Sequence, residues 1–368
     1  MKYTKIVRED VENIVNDCGI KNLLEKLSNR SFLVTGASGM IGSYFAYTLL
    51  YLNEMYNANI NIKLVLRNIE KLDPYIKEQT NVEIIIQDVV NPIDVAGNVD
   101  YIVHAASPAS PKLMSQFPVE TNLANTLGTI NTLKLAKEKD SIGYLFISSR
   151  EIYGEPNENQ KLFTENGLLG QVDPLVPRNG YAEGKKAAEN LCSGYKEEYG
   201  LNTKIVRLAH TYGPGMSIYD GRVQADFLKN VLNNEDIILK SDGSSIRTYT
   251  YISDAICAML LVLLNSTDLV YNISDENSET SIRELAETLV NIDPNKNLKL
   301  IFDIPKEVQK GCAAFKNGIL SSQKIRNELN WYPRYSIEDG FRRTIHHLEE
   351  EMQLENEIPN QKKMIKIK

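Results

Sequence analysis

Three side chains, Ser149, Tyr181 and Lys185, are of the types that move protons to and from a substrate oxygen. Tyr181 and Lys185 are four residues apart, so on a helix they share one face and the ammonium can lie near the phenol. A free tyrosine has a pKa of about 10, and a nearby cation lowers that pKa towards the range useful for acid and base chemistry. Ser149 follows an apolar strand predicted from Tyr144 to Ser148, so its hydroxyl can hydrogen-bond the same oxygen.

A glycine-rich turn near the start of the chain predicts a dinucleotide site. Gly36, Gly39 and Gly42 follow a predicted buried strand, Ser31 to Thr35, and an apolar helix continues from Met40 to Leu52. Such a turn brings backbone N–H groups at the start of the helix close to a pyrophosphate. A glycine triplet or a Tyr-x-x-x-Lys pair is common by itself. Their order, with the serine between them, predicts hydride transfer.

Composition excludes several other classes of function. The chain has 368 residues, of which 42% are hydrophobic and 24% charged, and its formal net charge of −7 argues against a partner of nucleic acid. No apolar run approaches the roughly 18 residues that cross a membrane, and the first ten residues do not have the apolar core of a signal peptide. The four cysteines, Cys18, Cys192, Cys257 and Cys312, lack metal-ligand spacing. They predict reduced thiols in a cytoplasmic protein without a metal.

Alternating strands and helices predict an α/β fold of the Rossmann type, with a doubly wound parallel sheet. The expected strands after the first are Ile62 to Leu66, Val82 to Ile86, Tyr101 to His104, Tyr144 to Ser148 and Thr203 to Leu208. The expected helices of the later part lie near 118–138, 181–199, 222–233, 253–265 and 281–290. We predict a helical extension over 1–29, a dinucleotide-binding domain over 30–210, a smaller substrate-binding lobe mainly from 211–352, and a flexible tail over 353–368.

Several motifs together resemble those of the extended short-chain dehydrogenase/reductases, in the nucleotide-sugar epimerase/dehydratase group. The resemblance covers roughly residues 31–350. The motifs are Thr35-Gly-x-x-Gly-x-x-Gly42, Asp88-Val89, His104-Ala-Ala106, Asn125-x-x-Gly-Thr129, Ser148-Ser-Arg-Glu-Ile-Tyr-Gly154, Tyr181-x-x-x-Lys185, Arg247-x-Tyr-x-Tyr-x-x-Asp254 and Leu329-Asn-Trp-Tyr-Pro333. Within the group the chain is most similar to the UDP-glucuronate decarboxylases, through Ala105-Ala-Ser-Pro-Ala-Ser-Pro111, Pro177-Arg178 and Asp220-Gly-Arg-Val223.

The resemblance implies a bound NAD and assigns residues to it. The cofactor-binding residues it implies are Gly36, Ser38, Gly39, Met40, Ile41, Gly42, Arg67, Asp88, Val89, Ala105, Ala106, Ser107, Asn125, Tyr181 and Lys185. NAD-using relatives have an acidic residue at the end of the second strand, where this chain has Arg67. Arg67 could instead bind a 2′-phosphate, which would favour NADP, or stack on the adenine.

The resemblance also implies the chemistry. In such enzymes the tyrosine removes the proton of the sugar 4-hydroxyl while NAD accepts hydride from C4, and the 4-keto sugar that forms can lose carbon dioxide, lose water or be reduced from the other face. Dehydratases of this group have Thr-Asp-Glu where this chain has Ser149-Arg150-Glu151. The aspartate that expels water in those enzymes is therefore replaced by Arg150. Glu151 matches a glutamate of the decarboxylases, and its alternative is an ion pair with Arg150 or Arg178. We therefore predict Ser149, Glu151, Tyr181 and Lys185 as catalytic residues.

The substrate implied is a nucleotide sugar, with UDP as the default. The substrate-binding residues implied are Pro108, Ser149, Arg150, Arg178, His210, Arg222 and Arg247. His210 replaces an asparagine that contacts the nucleotide diphosphate in relatives, and surface ion pairs are the alternative for Arg222 and Arg247. Decarboxylation of a uronic acid is the first expectation, and C4 epimerisation or NADP(H)-dependent reduction of a 4-keto sugar is the second.

Two expectations concern the protein as a whole. Relatives pair through the helices that follow the fourth and fifth strands, here roughly Val119 to Lys137 and Tyr181 to Tyr199, so a homodimer is expected. Because α/β folds do not fix function, a non-catalytic dinucleotide sensor or scaffold is the alternative from another class. The intact Ser149, Tyr181 and Lys185 argue against it.

Overall fold

Short apolar runs form the strands of a computed structural model, which describes residues 1–154, 156, 162–166, 172–304 and 319–365, with side chains up to residue 354. In chain order the strands are β1 (Ser31–Thr35), β2 (Asn61–Leu66), β3 (Val82–Ile86), β4 (Tyr101–His104), β5 (Gly143–Ser149), β6 (Leu162–Phe163), β7 (Thr203–Leu208), β8 (His210–Tyr212), β9 (Ile237–Leu239), β10 (Ile246–Tyr251), β11 (Val270–Ile273), β12 (Glu279–Ser281), β13 (Leu300–Phe302) and β14 (Ile319–Leu320).

Helices connect and cover these strands. In chain order they are α1 (Lys5–Asn16), α2 (Leu24–Leu27), α3 (Met40–Tyr56), α4 (Pro74–Lys77), α5 (Pro111–Gln116), α6 (Pro118–Glu138), α7 (Gly180–Tyr199), α8 (Val223–Leu232), α9 (Ile252–Asn265), α10 (Ile282–Val290), α11 (Gln323–Leu329) and α12 (Ile337–Ile365). Short 3-10 helices span Ile20–Leu23, Ile69–Lys71, Arg150–Tyr153, Pro177–Asn179, Glu276–Ser278 and Pro294–Lys296.

Seven parallel strands make the central sheet, in the order β11-β7-β5-β4-β1-β2-β3. One face packs against α3 and α9, and the other against α6 and α7. β1 and β4 are buried along their whole length, which explains why both are continuous apolar runs. The chain reverses its direction of winding between β1 and β4, so a crevice opens at the carboxyl ends of these strands. The predicted α/β Rossmann-type fold is confirmed.

The part of the chain after residue 210 contributes to more than one layer. It forms a sheet in the order β12-β10-β8 and the strand pair β13-β9, while β14 pairs with β6. β11 and α9 return to the central sheet, where β11 pairs with β7. Division into a dinucleotide-binding domain and a substrate-binding lobe stays a prediction. The last helix continues to Ile365, within the segment predicted as a tail.

The N-terminal extension is helical and packs on the main body of the protein. α1 contacts α3, α9 and α12, and its Asp10 is fully buried. The Asp10 carboxylate accepts hydrogen bonds from the hydroxyls of Tyr44 and Tyr251, both at 2.7 Å, and forms an ion pair with Arg343 at 2.8 Å. Burial raises the pKa of Asp10, and the Arg343 guanidinium opposes that rise. One carboxylate therefore joins four elements, α1, α3, β10 and α12.

Cys192 and Cys257 are buried free thiols and Cys18 is half-buried, whereas Cys312 lies outside the described residues. The interpretation of Cys192 and Cys257 as core thiols is confirmed. Within the described ranges, no helix is both long and apolar enough to cross a membrane.

Removing the Asp10 carboxylate should destabilise the fold. Asp10→Ala leaves two buried hydroxyls without their acceptor and leaves Glu9 as the remaining carboxylate partner of Arg343, so we expect the free energy of unfolding to fall by about 3 kcal/mol. Urea denaturation measures this change. Glu12 lies on the same helix but is exposed, and Glu12→Ala should change the free energy by less than about 0.5 kcal/mol. Equal effects of the two variants would contradict the role of the buried carboxylate.

Candidate active site

The predicted catalytic side chains meet where β5 ends and α7 begins. Ser149 is the last residue of β5, and its hydroxyl accepts a hydrogen bond from the backbone N–H of Glu151 at 3.2 Å. α7 presents Tyr181 and Lys185 one turn apart, and both side chains are buried. The Ser149 side chain lies beside Tyr181 and lowers the pKa of its phenol. The structure thus brings together Ser149, Tyr181 and Lys185, as the sequence predicted.

Lys185 is held by contacts with β5. Its Nζ donates a hydrogen bond to the carbonyl oxygen of Ile147 at 2.6 Å. The same atom lies 4.6 Å from the ring centroid of Phe146 and 5.7 Å from that of Tyr181. Burial lowers the pKa of Lys185 to about 7, an effect that the charge of Glu189 opposes. Near neutral pH this ammonium is therefore close to losing its proton.

The pKa of Tyr181 differs from the sequence-based expectation. Burial, followed by the charge of Glu151, raises it to about 12, while the Ser149 hydrogen bond and the guanidinium groups of Arg222 and Arg178 lower it. The expected lowering by Lys185 is not found: the groups that lower the pKa of Tyr181 are Ser149, Arg222 and Arg178, and desolvation of the phenolate is the largest effect. The phenol is protonated at neutral pH, so an added positive charge is needed beside it before it can act as a base.

The glycine turn has the close contacts that a dinucleotide site needs. Gly36 has a positive φ of 66°, and a Cβ on it would lie 2.9 Å from the Ala106 backbone. A Cβ on Gly42 would lie 2.5 Å from the carbonyl oxygen of Gly36. α3 starts at Met40 directly after this turn. Among the residues that the structure describes, no side chain caps the first N–H groups of this helix. These features fit a pyrophosphate at the start of α3.

One cavity of about 1800 Å³ joins the glycine turn to the catalytic residues. Of the predicted cofactor residues it is lined by Gly36, Ser38, Gly39, Met40, Ile41, Gly42, Arg67, Asp88, Val89, Ala105, Ala106, Ser107, Tyr181 and Lys185. Asn125 is fully buried in α6 and does not line it. Of the predicted substrate residues it is lined by Pro108, Ser149, Arg150, Arg178, His210, Arg222 and Arg247, together with Glu151.

At the outer end of the cofactor half, Arg67 and Asp88 face each other across the ends of β2 and β3. Arg67 Nη1 lies 3.6 Å from Asp88 Oδ2, and the Arg67 side chain is 71% exposed. An exposed ion pair of this length contributes little free energy, so Arg67 remains able to bind a phosphate or stack on a base. Both alternatives for Arg67 stay open.

At the substrate end, two of the predicted arginines are paired with carboxylates. Arg178 contacts both oxygens of Glu151 at 3.3 Å, which is the alternative considered for Glu151. Arg222 forms an ion pair with Asp220 at 2.8 Å and donates to the carbonyl of Ala109. Both pairs remain within the cavity lining, so a bound anion can still reach the guanidinium groups.

Histidines near the site are neutral. Burial lowers the pKa of His104 to about 3, with a smaller effect of Lys185, and its Nδ1 lies 2.8 Å from the Thr35 hydroxyl oxygen. His104 is thus a packed, hydrogen-bonded side chain. Burial also lowers the pKa of His210 well below its usual value, helped by Arg150, Arg247 and Arg222. His210 thus meets a ligand as an uncharged imidazole.

Two residues of this region were missed from the sequence. Gln224 lines the cavity, and its buried amide nitrogen has no hydrogen-bond partner among the described residues. Its position two residues after Arg222 was the available signal. Glu189 lies one turn after Lys185 and forms a buried ion pair with Arg207. Helical spacing alone could have placed Glu189 beside Lys185.

Comparison with known proteins agrees with the dinucleotide site that the geometry indicates. The model of the NAD dependent epimerase/dehydratase family matches residues 32–274. The chain belongs to this family. Within the family it is similar to UDP-glucuronic acid decarboxylase 6 of Arabidopsis thaliana, with 32% identity over 85% of this chain and 87% of that protein. It is also similar to UDP-glucuronic acid decarboxylase 1 of Xenopus tropicalis, with 27% identity over 96% of this chain and 81% of that protein.

A solved structure of the family shares the fold. The UDP-glucuronic acid 4-epimerase of Bacillus cereus, in complex with UDP-glucuronic acid and NAD, superposes with a TM-score of 0.71 and 21% identity. The alignment covers 87% of this chain and 99% of that chain. The family membership and the glycine turn agree on NAD as the cofactor of this chain.

Loss of the Tyr181 hydroxyl should abolish most turnover. Tyr181→Phe keeps the buried ring but removes the proton acceptor, so we expect turnover to fall at least about a hundredfold with fold and cofactor binding retained. Steady-state kinetics, circular dichroism and cofactor content measure these three properties. Tyr195→Phe, on the same helix but partly exposed, is the matched control and should turn over normally. Turnover by Tyr181→Phe near that of the control would show that this phenol is not the base.

Proposed function

We propose that the protein decarboxylates a UDP-linked uronic acid through a transient 4-keto sugar. The observation that carries the proposal is that Glu151, Arg178 and the Ser149-Tyr181 pair line one cavity. The curated relatives named UDP-glucuronic acid decarboxylase support the choice of reaction. Arg150, in place of the aspartate expected of a dehydratase, supports it further, because no acid stands there to expel water.

Bound NAD would supply the hydride acceptor and a positive charge near the phenol. Tyr181 would take the proton of the 4-hydroxyl, and the Ser149 hydroxyl would hold the same oxygen. Oxidation places a ketone β to the C6 carboxylate, so the C5–C6 bond can break with its electron pair moving towards the C4 oxygen as carbon dioxide leaves. Tyr181 and Ser149 would stabilise the enolate oxygen, and C5 would then gain a proton. Return of the hydride to C4, with the proton of Tyr181 going back to the oxygen, would give the pentose and regenerate NAD, whereas release before this step would give the 4-keto-pentose.

The charges at the substrate end fit an anionic sugar nucleotide. Arg150, Arg178, Arg222 and Arg247 line the same cavity, and a guanidinium can bind a carboxylate or a phosphate through two parallel hydrogen bonds. A substrate carboxylate can compete with Glu151 for Arg178, since both are the same kind of anion. Glu151 would then face the sugar with a less compensated charge, as a base or proton carrier requires.

C4 epimerisation is the second candidate. The Bacillus cereus epimerase with the same fold acts on UDP-glucuronic acid, so a uronic acid alone does not fix the outcome. Reduction of a 4-keto sugar with NADP(H) is the third, and it rests on Arg67. The two differ from decarboxylation in product mass and in cofactor consumption.

Incubation with UDP-glucuronate tests the proposed reaction. We expect release of carbon dioxide and a pentose or 4-keto-pentose nucleotide, measured by gas trapping and mass spectrometry. Glu151→Gln keeps the shape but removes the charge, so carbon dioxide release should slow about a hundredfold while reduced nicotinamide accumulates. Glu197→Gln, exposed near the end of α7, is the control and should match the parent enzyme. A product of unchanged mass would establish epimerisation instead, and consumption of NADPH by a 4-keto sugar would establish the reductase.

We also propose a cytoplasmic homodimer that pairs through α6 and α7. These helices pack side by side on one face of the sheet, and the α6 surface exposes Val119, Leu123 and Leu127 at helical spacing. Exposed apolar rows of this kind mark protein interfaces. The free thiols Cys192 and Cys257 agree with a reducing compartment.

Charges in this row should separate the subunits. The double variant Val119→Glu with Leu127→Glu would bury four carboxylates in a two-fold interface, so we expect a monomer at micromolar concentration. Light scattering measures the mass. Met55→Glu, on the exposed surface of α3, is the control and should remain a dimer. A monomeric parent protein would refute the proposal outright.

A further inference from the structure

A buried carboxylate lies directly behind the predicted catalytic lysine. Glu189 follows Lys185 by one turn of α7 and is 9% exposed. Its Oε1 accepts a hydrogen bond from the Ser148 hydroxyl at 2.5 Å, and its Oε2 accepts one from Arg207 Nη2 at 2.7 Å. Arg207 Nε lies 3.1 and 3.2 Å from the two carboxylate oxygens. The carboxylate is therefore fully engaged inside the protein, away from water.

The partners of Glu189 belong to the strands that hold the active site. Ser148 lies on β5 between Ile147, whose carbonyl accepts from Lys185, and Ser149. Arg207 lies on β7, the neighbour of β5, and pairs in register with Ser148. Through these contacts one side chain fixes α7 relative to β5. The distance between Ser149 and the Tyr181-Lys185 pair depends on that register.

Arg207 is itself held from its far side. Its Nη1 donates to the Tyr153 hydroxyl at 2.8 Å and to the carbonyl of Glu165 at 3.2 Å. The Tyr153 hydroxyl in turn donates to Asn272 Oδ1 at 2.7 Å. These contacts fix the orientation of the Arg207 guanidinium, so Glu189 is paired with a rigid partner.

We propose that Glu189 is a positioning residue for the reaction, which holds Lys185 and Tyr181 in register with Ser149 and serves as counter-charge to the Lys185 ammonium. This inference rests on the proposed use of Tyr181 and Lys185 in proton transfer. No predicted role covers Glu189, and its pairing with Ser148 on the strand that carries Ser149 distinguishes it from a structural ion pair elsewhere in the fold.

The groups that face Lys185 leave Glu189 as the main source of negative charge. His104 on β4 is neutral, because burial lowers its pKa to about 3. Burial raises the pKa of both Cys192 and Tyr181 on α7, so thiol and phenol remain protonated. Glu189 opposes the effect of burial on Lys185 more strongly than Cys192 does. Removal of the Glu189 charge should therefore lower the pKa of Lys185.

Glu189→Gln separates charge from shape, because the amide can still accept from Ser148 or Arg207. The Lys185 pKa should fall by about one unit, since the loss of one opposite charge beside a buried ammonium shifts its pKa by that order. NMR titration of the ligand-free protein with labelled lysine ε-carbons measures it, with Lys185→Arg assigning the signal. The alkaline limb of the kcat/KM profile, which reports the free enzyme, should move to lower pH by the same amount. An unchanged or raised Lys185 pKa would overturn the counter-charge role, whatever reaction the enzyme catalyses.

Ser148 tests the positioning role with the charge left in place. Ser148→Ala should lower kcat about tenfold with little change in KM and no shift of the alkaline limb, and Ser148→Thr, which keeps the hydroxyl, should recover most of the loss. Wild-type kcat in Ser148→Ala would overturn the positioning role. Asp10→Asn is the matched control, a buried carboxylate paired with Arg343 far from Lys185. Asp10→Asn should lower the stability of the protein without moving the alkaline limb of the pH profile. If the limb moved as far as in Glu189→Gln, the shift would be an effect of general destabilisation, and the proposal would be overturned.

Discussion

Desolvation at the carboxyl ends of β4 and β5 is the constraint on which the active site depends. It raises the pKa of Tyr181 to about 12 and lowers that of Lys185 to about 7, so burial drives both groups towards their neutral forms. The Tyr181-Lys185 pair of the ligand-free protein therefore carries little charge of its own. A charge that a ligand brings beside this pair acts on it strongly, because the pair is shielded from water.

The cavity has an electrostatic character opposite to that of the whole molecule. The chain carries a formal net charge of −7, yet arginines predominate among the charged groups at the substrate end of the cavity. Over the whole lining, basic side chains outnumber carboxylates, although Arg178 and Arg222 are each paired with a carboxylate of the same lining. An anionic substrate is thus attracted locally by a protein that repels anions at a distance, which favours molecules small enough to enter the crevice.

Local patterns in the sequence were enough to place most of the central sheet. The predicted bounds of β1, β3, β4 and β7 agree with the structure, because each is a short apolar run bounded by turn residues. β11, only four residues long, was not recognised, since its place in the sheet is decided by pairing with β7. The residues assigned from motifs line the cavity, except Asn125, and their roles stay predictions. The pairing of Glu151 with Arg178 was one of the alternatives that the sequence offered, and the structure selects it. The raised pKa of Tyr181 was beyond sequence reasoning, because it depends on burial by distant segments.

The contacts of Asp10 have a consequence for the order in which the chain can fold during synthesis. Its partners, Tyr44, Tyr251 and Arg343, are spread over most of the sequence, so the ribosome makes α1 long before the last of them exists. Until α12 emerges, the carboxylate cannot be buried with its counter-charge, and burial without it is costly. Docking of α1 is therefore a late event. In a chain truncated before α12, the first helix would not dock on the rest of the protein. Its exposed apolar surface would then be recognised by chaperones and proteases.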